Sequence, residues 1–148
     1  MSLKIKPAST DQRDRWIELF DAYAAFYSTT VSEKAREQVW CWIQDADEPF
    51  WCDLVSEPRE APFGLVQYQL IHRSLSGGRV CYLSDLYVDP AFRGRGAGQA
   101  LIDHVMAFAG KRGIPNVRWL TQEQNAAARR LYDSYGPRSD FVLYSFDV

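Results

Sequence analysis

Apolar and polar positions alternate over Leu3-Lys4-Ile5-Lys6 and stop at Pro7, which predicts a short opening strand. The period then changes. Thr10 followed by Asp11 reads as a helix N-cap, and Trp16, Leu19, Phe20, Tyr23 and Tyr27 recur at helical spacing, giving a first amphipathic helix. Ser32 caps a second, with Glu33 in its first turn and Ala35, Val39, Trp42 and Ile43 on one side, ended by Asp45 to Pro49. Phe50 to Val55 and Phe63 to Ile71 read as a hairpin of strands across the polar turn Ser56 to Pro62. After a turn at Ser74 to Gly78, a central strand runs from Cys81 to Val88. A glycine-rich loop follows, then a helix with Leu101, Val105, Phe108 and Ala109 on one face, closed by Gly110-Lys111-Arg112-Gly113. Val117 to Thr121 is expected as a strand, Asn125 to Tyr135 as a helix stopped by Gly136-Pro137, and Phe141 to Phe146 as a closing strand.

The strand, loop and helix between Cys81 and Ile102 carry the chemistry. A glycine-rich turn into a helix presents unpaired backbone N–H groups at the positive end of the helix dipole, where an anion is favoured. A phosphate-bearing ligand fits such a turn. The spacing narrows the ligand: Gly94, Gly96 and Gly98 give G-x-G-x-G followed by Gln99, not the G-x-G-x-x-G of a dinucleotide site. Nor do Lys and Ser or Thr follow the last glycine, as a mononucleotide P-loop requires.

Read from its arginine, the loop is R-x-x-G-x-G (Arg93, Gly96, Gly98) with Leu86-Tyr87-Val88 directly upstream. It resembles the coenzyme A pyrophosphate loop of the GNAT superfamily of acyltransferases. A second motif, Asn125-x-x-Ala128-x-x-Leu131-Tyr132, resembles that superfamily's N-x-x-A-x-x-L-Y helix, and places Asn125 and Tyr132 on one face about 10 Å apart along the axis. The element order β-α-α-β-β-β-α-β-α-β matches the same fold, so the resemblance implies an α/β protein with a central mixed sheet flanked by about four helices. Within the superfamily, Tyr82 to Val88, Phe26-Tyr27 and Ser139-Asp140-Phe141 look most like the polyamine and histone-type amine acetyltransferases.

Composition sets the outer limits. A chain of 148 residues, 47% of them apolar, suits one folded domain spanning residues 1–148. Its net charge of −2 offers no basic field for nucleic acid. No apolar run reaches a membrane span and no signal-peptide pattern opens the chain, so a cytoplasmic location is expected. Three cysteines, Cys41, Cys52 and Cys81, form no C-x-x-C, and His72 and His104 lack spaced partner ligands; neither a disulfide framework nor a metal site is indicated. There is no G-x-S-x-G elbow for a hydrolase triad. The resemblance, with the aromatic surplus, points to a homodimer.

The resemblance also implies roles. Acetyl-CoA is the expected co-substrate, its pantetheine arm lined by Leu86, Tyr87 and Val88, and its pyrophosphate held by the amides of Gly94, Arg95, Gly96, Ala97, Gly98 and Gln99, with charge from Arg93 or Arg95. Asn125 and Ala128 complete that wall, and Arg129-Arg130 is either a solvated face or a contact to the 3′-phosphate. Tyr132 is the expected proton donor to the leaving thiolate. A phenol near pKa 10 donating to a thiolate near 8.5 is uphill by about 2 kcal/mol, which favours late donation or hydrogen bonding alone.

The base is less well marked. An amine of pKa near 10.4 needs help to lose its proton at neutral pH. Polyamine-acetylating relatives commonly carry glutamate at the position of Ser84, whereas this chain has Ser84 followed by Asp85. Asp85 serves either as base, directly or through water, or as an anchor for a neighbouring loop. Glu123 is a second candidate, and Tyr27, Trp42, Ser84 and Glu123 are placed at the acceptor. The expected activity is direct transfer of acetyl to a primary amine, small molecule or protein lysine; the alternative is a non-catalytic acyl-CoA-binding module of the same fold.

Overall fold

A computed structural model describes residues 2–148. Five strands form one sheet in the order β1-β2-β3-β4-β5: β1 (Lys4–Pro7), β2 (Phe50–Ser56), β3 (Gly64–Arg73), β4 (Gly78–Val88) and β5 (Val117–Arg118). The first four pair antiparallel and β5 joins β4 in parallel. Four helices flank the sheet: α1 (Arg13–Phe26), α2 (Glu33–Gln44), α3 (Ala97–Lys111) and α4 (Ala126–Asp133). Mixed pairing with a helical layer on each face is the α/β architecture expected from the element order.

The two faces bury separate sets of side chains. On one, Trp16 and Leu19 of α1 pack with Cys52 and Leu54 of β2 and Leu65 of β3, and Val39, Trp40 and Ile43 of α2 cover their margin. On the other, Leu101, Ile102 and Val105 of α3 lie fully buried against Val66, Tyr68, Cys81 and Leu83. Each such side chain contributes roughly 1.5–3 kcal/mol through burial. The helix starts follow local chemistry: Ser32 Oγ accepts from the Ala35 amide at 3.1 Å, and Asn125 Oδ1 accepts from the Ala128 amide at 3.3 Å. At the other end of α3 the chain reverses through Gly113 at φ +68, where the Ile114 amide bonds back to the Ala109 carbonyl.

Four expectations are corrected. The first helix opens with a 3₁₀ turn over Thr10–Gln12 before α1 proper, and α4 stops at Asp133 rather than Tyr135. The strand expected over Val117 to Thr121 keeps only Val117–Arg118, because β4 and β5 diverge after two paired positions. The closing strand expected over Phe141 to Phe146 does not form; a run of apolar, strand-favouring residues marks the segment, but a strand requires a partner, and these residues have none among the described ones.

The hairpin between β2 and β3 is tight where it meets β4. Gly64 lies opposite Val88, and a Cβ placed there would stand 2.8 Å from the Tyr87 carbonyl oxygen and 2.8 Å from Val55 Cγ1. Gly64→Ala is therefore expected to cost roughly 1–3 kcal/mol through overpacking, read as a lowered midpoint in thermal unfolding. An unchanged midpoint would show that β4 yields there without penalty.

Candidate active site

Where β5 leaves β4, the sheet opens. The two strands pair only at Cys81 with Val117 and Tyr82 with Arg118, so from Leu83 to Val88 the outer edge of β4 has no strand beside it among the described residues. Beyond Val88 the chain is fixed firmly: the Asp89 amide donates to the Phe63 carbonyl at 2.8 Å, Asp89 Oδ1 accepts from the Ala91 amide, and the Phe92 ring stacks on Phe63 with centroids 4.5 Å apart. The glycine loop starts from this anchored turn. Gly94 at φ +79 and Gly96 at φ +78 take left-handed conformations that a side chain would strain, with open space beside both.

Among the described residues, the backbone amides of Gly94 to Gln99 donate to no protein acceptor. Those of Ala97, Gly98 and Gln99 are the orphan donors of the first turn of α3. They face a cleft of about 530 Å³ between the edge of β4, α1 and α4. Of the expected coenzyme residues, Leu86, Tyr87, Val88, Arg93, Gly94, Gly96, Ala97, Gly98, Gln99, Asn125 and Ala128 line it. Arg95 is the exception: its guanidinium pairs with Glu57 at 2.8 Å and lies over the Phe92 ring, so it braces the loop from behind. Arg93 donates Nε to the Val88 carbonyl at 3.2 Å, and Arg130 rather than Arg129 reaches the cleft, Arg129 being tied to the Glu123 carbonyl.

The aromatic wall opposite was only partly legible. Tyr27 lines the cleft as expected of an acceptor-side residue, but so do Tyr23 and Phe26 from the same helix and Phe92 from the loop. Tyr23 falls on the apolar stripe of α1 and reads as core; the missed signal is that a phenol in such a stripe needs a hydrogen-bond partner. The Tyr23 hydroxyl donates to the Ser84 carbonyl at 3.5 Å, beside the Asp85 carboxylate.

Asp85 does not line the cleft. Its carboxylate accepts from Gln67 Nε2 at 2.8 Å and stands beside the Tyr23 phenol, whose hydroxyl donates to the Ser84 carbonyl at 3.5 Å, and Gln67 in turn accepts from the indole of the fully buried Trp16 at 2.8 Å. Burial pushes the Asp85 carboxyl above the ordinary carboxylate range, and Gln67 and Tyr23 oppose that rise. The Tyr23 phenol is raised well above its usual value, first by burial and then by the charge of Asp85. Asp85 thus communicates with the cleft through Tyr23.

Tyr132 lines the cleft together with the glycine loop, its ring edge-on to Trp119 at 5.5 Å. Burial, with the neighbouring Tyr27, pushes its pKa up to about 12. Three residues expected on the acceptor side lie outside this cleft. Trp42 packs against Phe50 in the α2–β2 layer, Ser84 Oγ accepts from Gln69 Nε2 at 2.9 Å, and the Glu123 side chain is 80% exposed; none lines the cleft. Asn125 lines it while its Oδ1 caps α4, so its amide nitrogen, with only a 3.5 Å contact to Thr121 Oγ1, is the part turned to other use.

A loop of unpartnered amides opening onto a free strand edge, with a phenol on the same cleft, fits the coenzyme-using acyl transferases, and comparison with known proteins gives the family. The model of the acetyltransferase (GNAT) family matches residues 16–136, and the chain belongs to that family. It is an acetyl-CoA-dependent N-acyltransferase. It is 27% identical over 141 residues to a D-amino-acid N-acetyltransferase of Saccharomyces cerevisiae, covering 95% of this chain and 88% of that one. To a thialysine N-epsilon-acetyltransferase of Bos taurus it is 35% identical over 97 residues, 61% of this chain and 57% of that one. A crystal structure of a probable acetyltransferase superposes with a TM-score of 0.84 at 25% identity, covering 100% of this chain and 98% of the other. No helix among the described residues is long and apolar enough to cross a membrane.

The Asp85 environment yields a stability signature. A carboxyl whose pKa is higher folded than unfolded binds its proton more tightly in the native state, so stability falls as pH rises from the ordinary carboxylate value, near 3.9, through the raised one. Asp85→Asn keeps an acceptor for Gln67 and removes the titration. Its melting temperature should therefore gain on the wild type as pH is raised through that window; parallel melting profiles would contradict the burial assigned to Asp85.

Proposed function

We propose that the chain transfers the acetyl group of acetyl-CoA to a primary amine by direct attack within a ternary complex. The observation that carries this reading is the row of six amides from Gly94 to Gln99, without protein partners among the described residues, lining a cleft that Tyr132 also lines. The amides hold the pyrophosphate, with Arg93 adding charge and Arg130 serving the 3′-phosphate. The pantetheine arm lies along Leu86 to Val88, where the free edge of β4 offers backbone donors and acceptors as a neighbouring strand would. The Asn125 amide nitrogen adds a donor on the facing helix.

In the transfer step the amine lone pair attacks the thioester carbonyl carbon, the C–N bond forms, and the C–S bond breaks to release coenzyme A. A protonated amine near pKa 10.4 must first lose a proton. Asp85 accepts it by way of Tyr23, whose phenol stands beside the carboxylate and lines the cleft. The raised pKa of Asp85 suits it to this work better than an ordinary surface carboxylate. Tyr132, with a pKa near 12, is too weak an acid to protonate a thiolate of pKa about 8.5 outright, so it serves by hydrogen bonding to the sulfur as charge develops there.

For the acceptor, the relatives named for a D-amino acid and for thialysine support a free amino acid or similar small amine over a protein side chain. Tyr27 and Phe26, on the cleft wall facing the coenzyme loop, are the contacts available to its carbon skeleton. A panel of D-amino acids, lysine analogues, polyamines and lysine peptides, read by release of free thiol from acetyl-CoA, decides the class. Silence across the panel, with coenzyme binding intact, would overturn amine acetylation.

Tyr132→Phe separates binding from chemistry. It should lower kcat by at least about tenfold while leaving the dissociation constant for coenzyme A, by calorimetry, within about twofold. Full turnover in that variant would remove Tyr132 from the mechanism.

A further inference from the structure

Gln67 is a polar side chain with no exposed surface in the middle of the sheet, and the transfer step described above does not use it. It sits between two partners of opposite character. Its Oε1 accepts from the indole Nε1 of Trp16 at 2.8 Å, and its Nε2 donates to Asp85 Oδ2 at 2.8 Å. Trp16 is equally enclosed, so neither side chain can turn to water for a substitute partner.

The two partners dictate which way the amide faces. An indole N–H only donates, and an ionised carboxylate only accepts. Turned over, the Gln67 amide would set N–H against N–H at Trp16 and oxygen against oxygen at Asp85, leaving desolvated groups unpaired at both ends. The register of the sheet delivers Asp85 to this amide. Gln67 lies opposite Asp85 and Tyr68 opposite Leu83, so Ser84 is an extra residue in β4, a bulge of the kind that re-aims side chains. Ser84 and Asp85, adjacent in β4, thereby meet Gln69 and Gln67, two residues apart on β3.

No cation offsets the Asp85 charge, which joins no ion pair among the described residues. The titratable groups facing it are Tyr23 from α1, Cys52 from β2 and Tyr82 on its own strand; burial first, and the Asp85 charge after it, keep their protons on. The donor from Gln67 opposes the rise that burial imposes on the carboxyl.

We propose that Trp16 and Gln67 are positioning residues for Asp85: the indole locks the Gln67 amide in one orientation, and the amide holds Oδ2, leaving Oδ1 to receive the proton that comes from the amine. The proposal rests on the reading of Asp85 as proton acceptor and adds the two side chains that keep it ionised and aimed. Neither of them lines the cleft.

Carbon-13 NMR of the Asp85 carboxyl, identified by its loss in Asp85→Asn, reads the holding role without any substrate. Gln67→Met removes the donor and should raise the titration midpoint by about one unit. Trp16→Phe frees the amide to turn and should move the midpoint in the same direction, while Trp16→Phe added to Gln67→Met should move it no further. A thermal shift with coenzyme A shows which variants are folded, and Trp16→Phe carries the test if Gln67→Met is not. The catalytic consequence is read from kcat against pH with whichever amine turns over: the acidic limb should rise with the carboxyl midpoint, whereas a merely structural loss lowers kcat alike at every pH. An unmoved carboxyl midpoint in a folded variant overturns this proposal and leaves Asp85 as acceptor. A limb that stays in place while the midpoint moves overturns it too. Full turnover by Asp85→Asn, or silence across the amine panel, overturns the underlying reading and the proposal with it, and the carboxyl titration tells that case apart.

Discussion

The parting of β4 from β5 after two paired residues is the constraint on which the rest of the molecule depends. A sheet normally satisfies each strand edge with the next strand, and here Leu83 to Val88 keep one edge free in the middle of the domain. Such an edge is tolerable only if a ligand, water or another chain supplies partners. The surrounding structure holds the gap open. Phe63 stacked on Phe92 fixes where the loop departs, the Arg95–Glu57 pair ties the loop to the turn after β2, and the buried row of Leu101, Ile102 and Val105 sets α3 so that its first-turn amides point at the gap.

Polar groups inside the two layers are arranged with the same economy of partners. On the α1 side, Trp16, Gln67 and Asp85 form a connected chain from the fully buried indole, and Asp85 stands beside Tyr23 of the cleft wall. On the α3 side, buried Asp53 accepts from Tyr68 at 2.5 Å and pairs with His104 Nε2 at 2.9 Å. No buried side-chain nitrogen or oxygen among the described residues lacks a partner. A connected polar network specifies one arrangement of its members, because breaking any link leaves a desolvated group behind. The first chain thereby gives Asp85 a fixed route to the cleft without exposing it there.

Much of this was legible in the sequence because it is local. Ser32 and Asn125 are caps written into the chain three residues before the amides they serve, and Gly94 and Gly96 mark backbone conformations that few other residues accept. The glycine spacing with its leading arginine located the loop whose amides find no protein partner among the described residues, and the helical recurrence of Trp16, Leu19 and Tyr23 located the buried face of α1. What escaped depends on pairings distant in sequence. Arg95 looks like a phosphate ligand until Glu57, thirty-eight residues earlier, claims it. Asp85 looks like an exposed base until Gln67 and Tyr23 enclose it, and Trp42 like a substrate wall until Phe50 covers it. The Phe141 to Phe146 segment carried a correct signal for strand propensity, but propensity does not name the edge a strand will meet.

Trp119 lies edge-on to Tyr132 at 5.5 Å and to Tyr135 at 6.2 Å, whereas Trp16 is wholly enclosed and hydrogen-bonded to Gln67. The two indoles therefore sense different surroundings. Emission from Trp16 reports on the integrity of the domain interior, and emission from Trp119 on what stands beside the phenol of Tyr132. The molecule carries an internal optical reference together with an indicator lamp placed at the margin of its cleft.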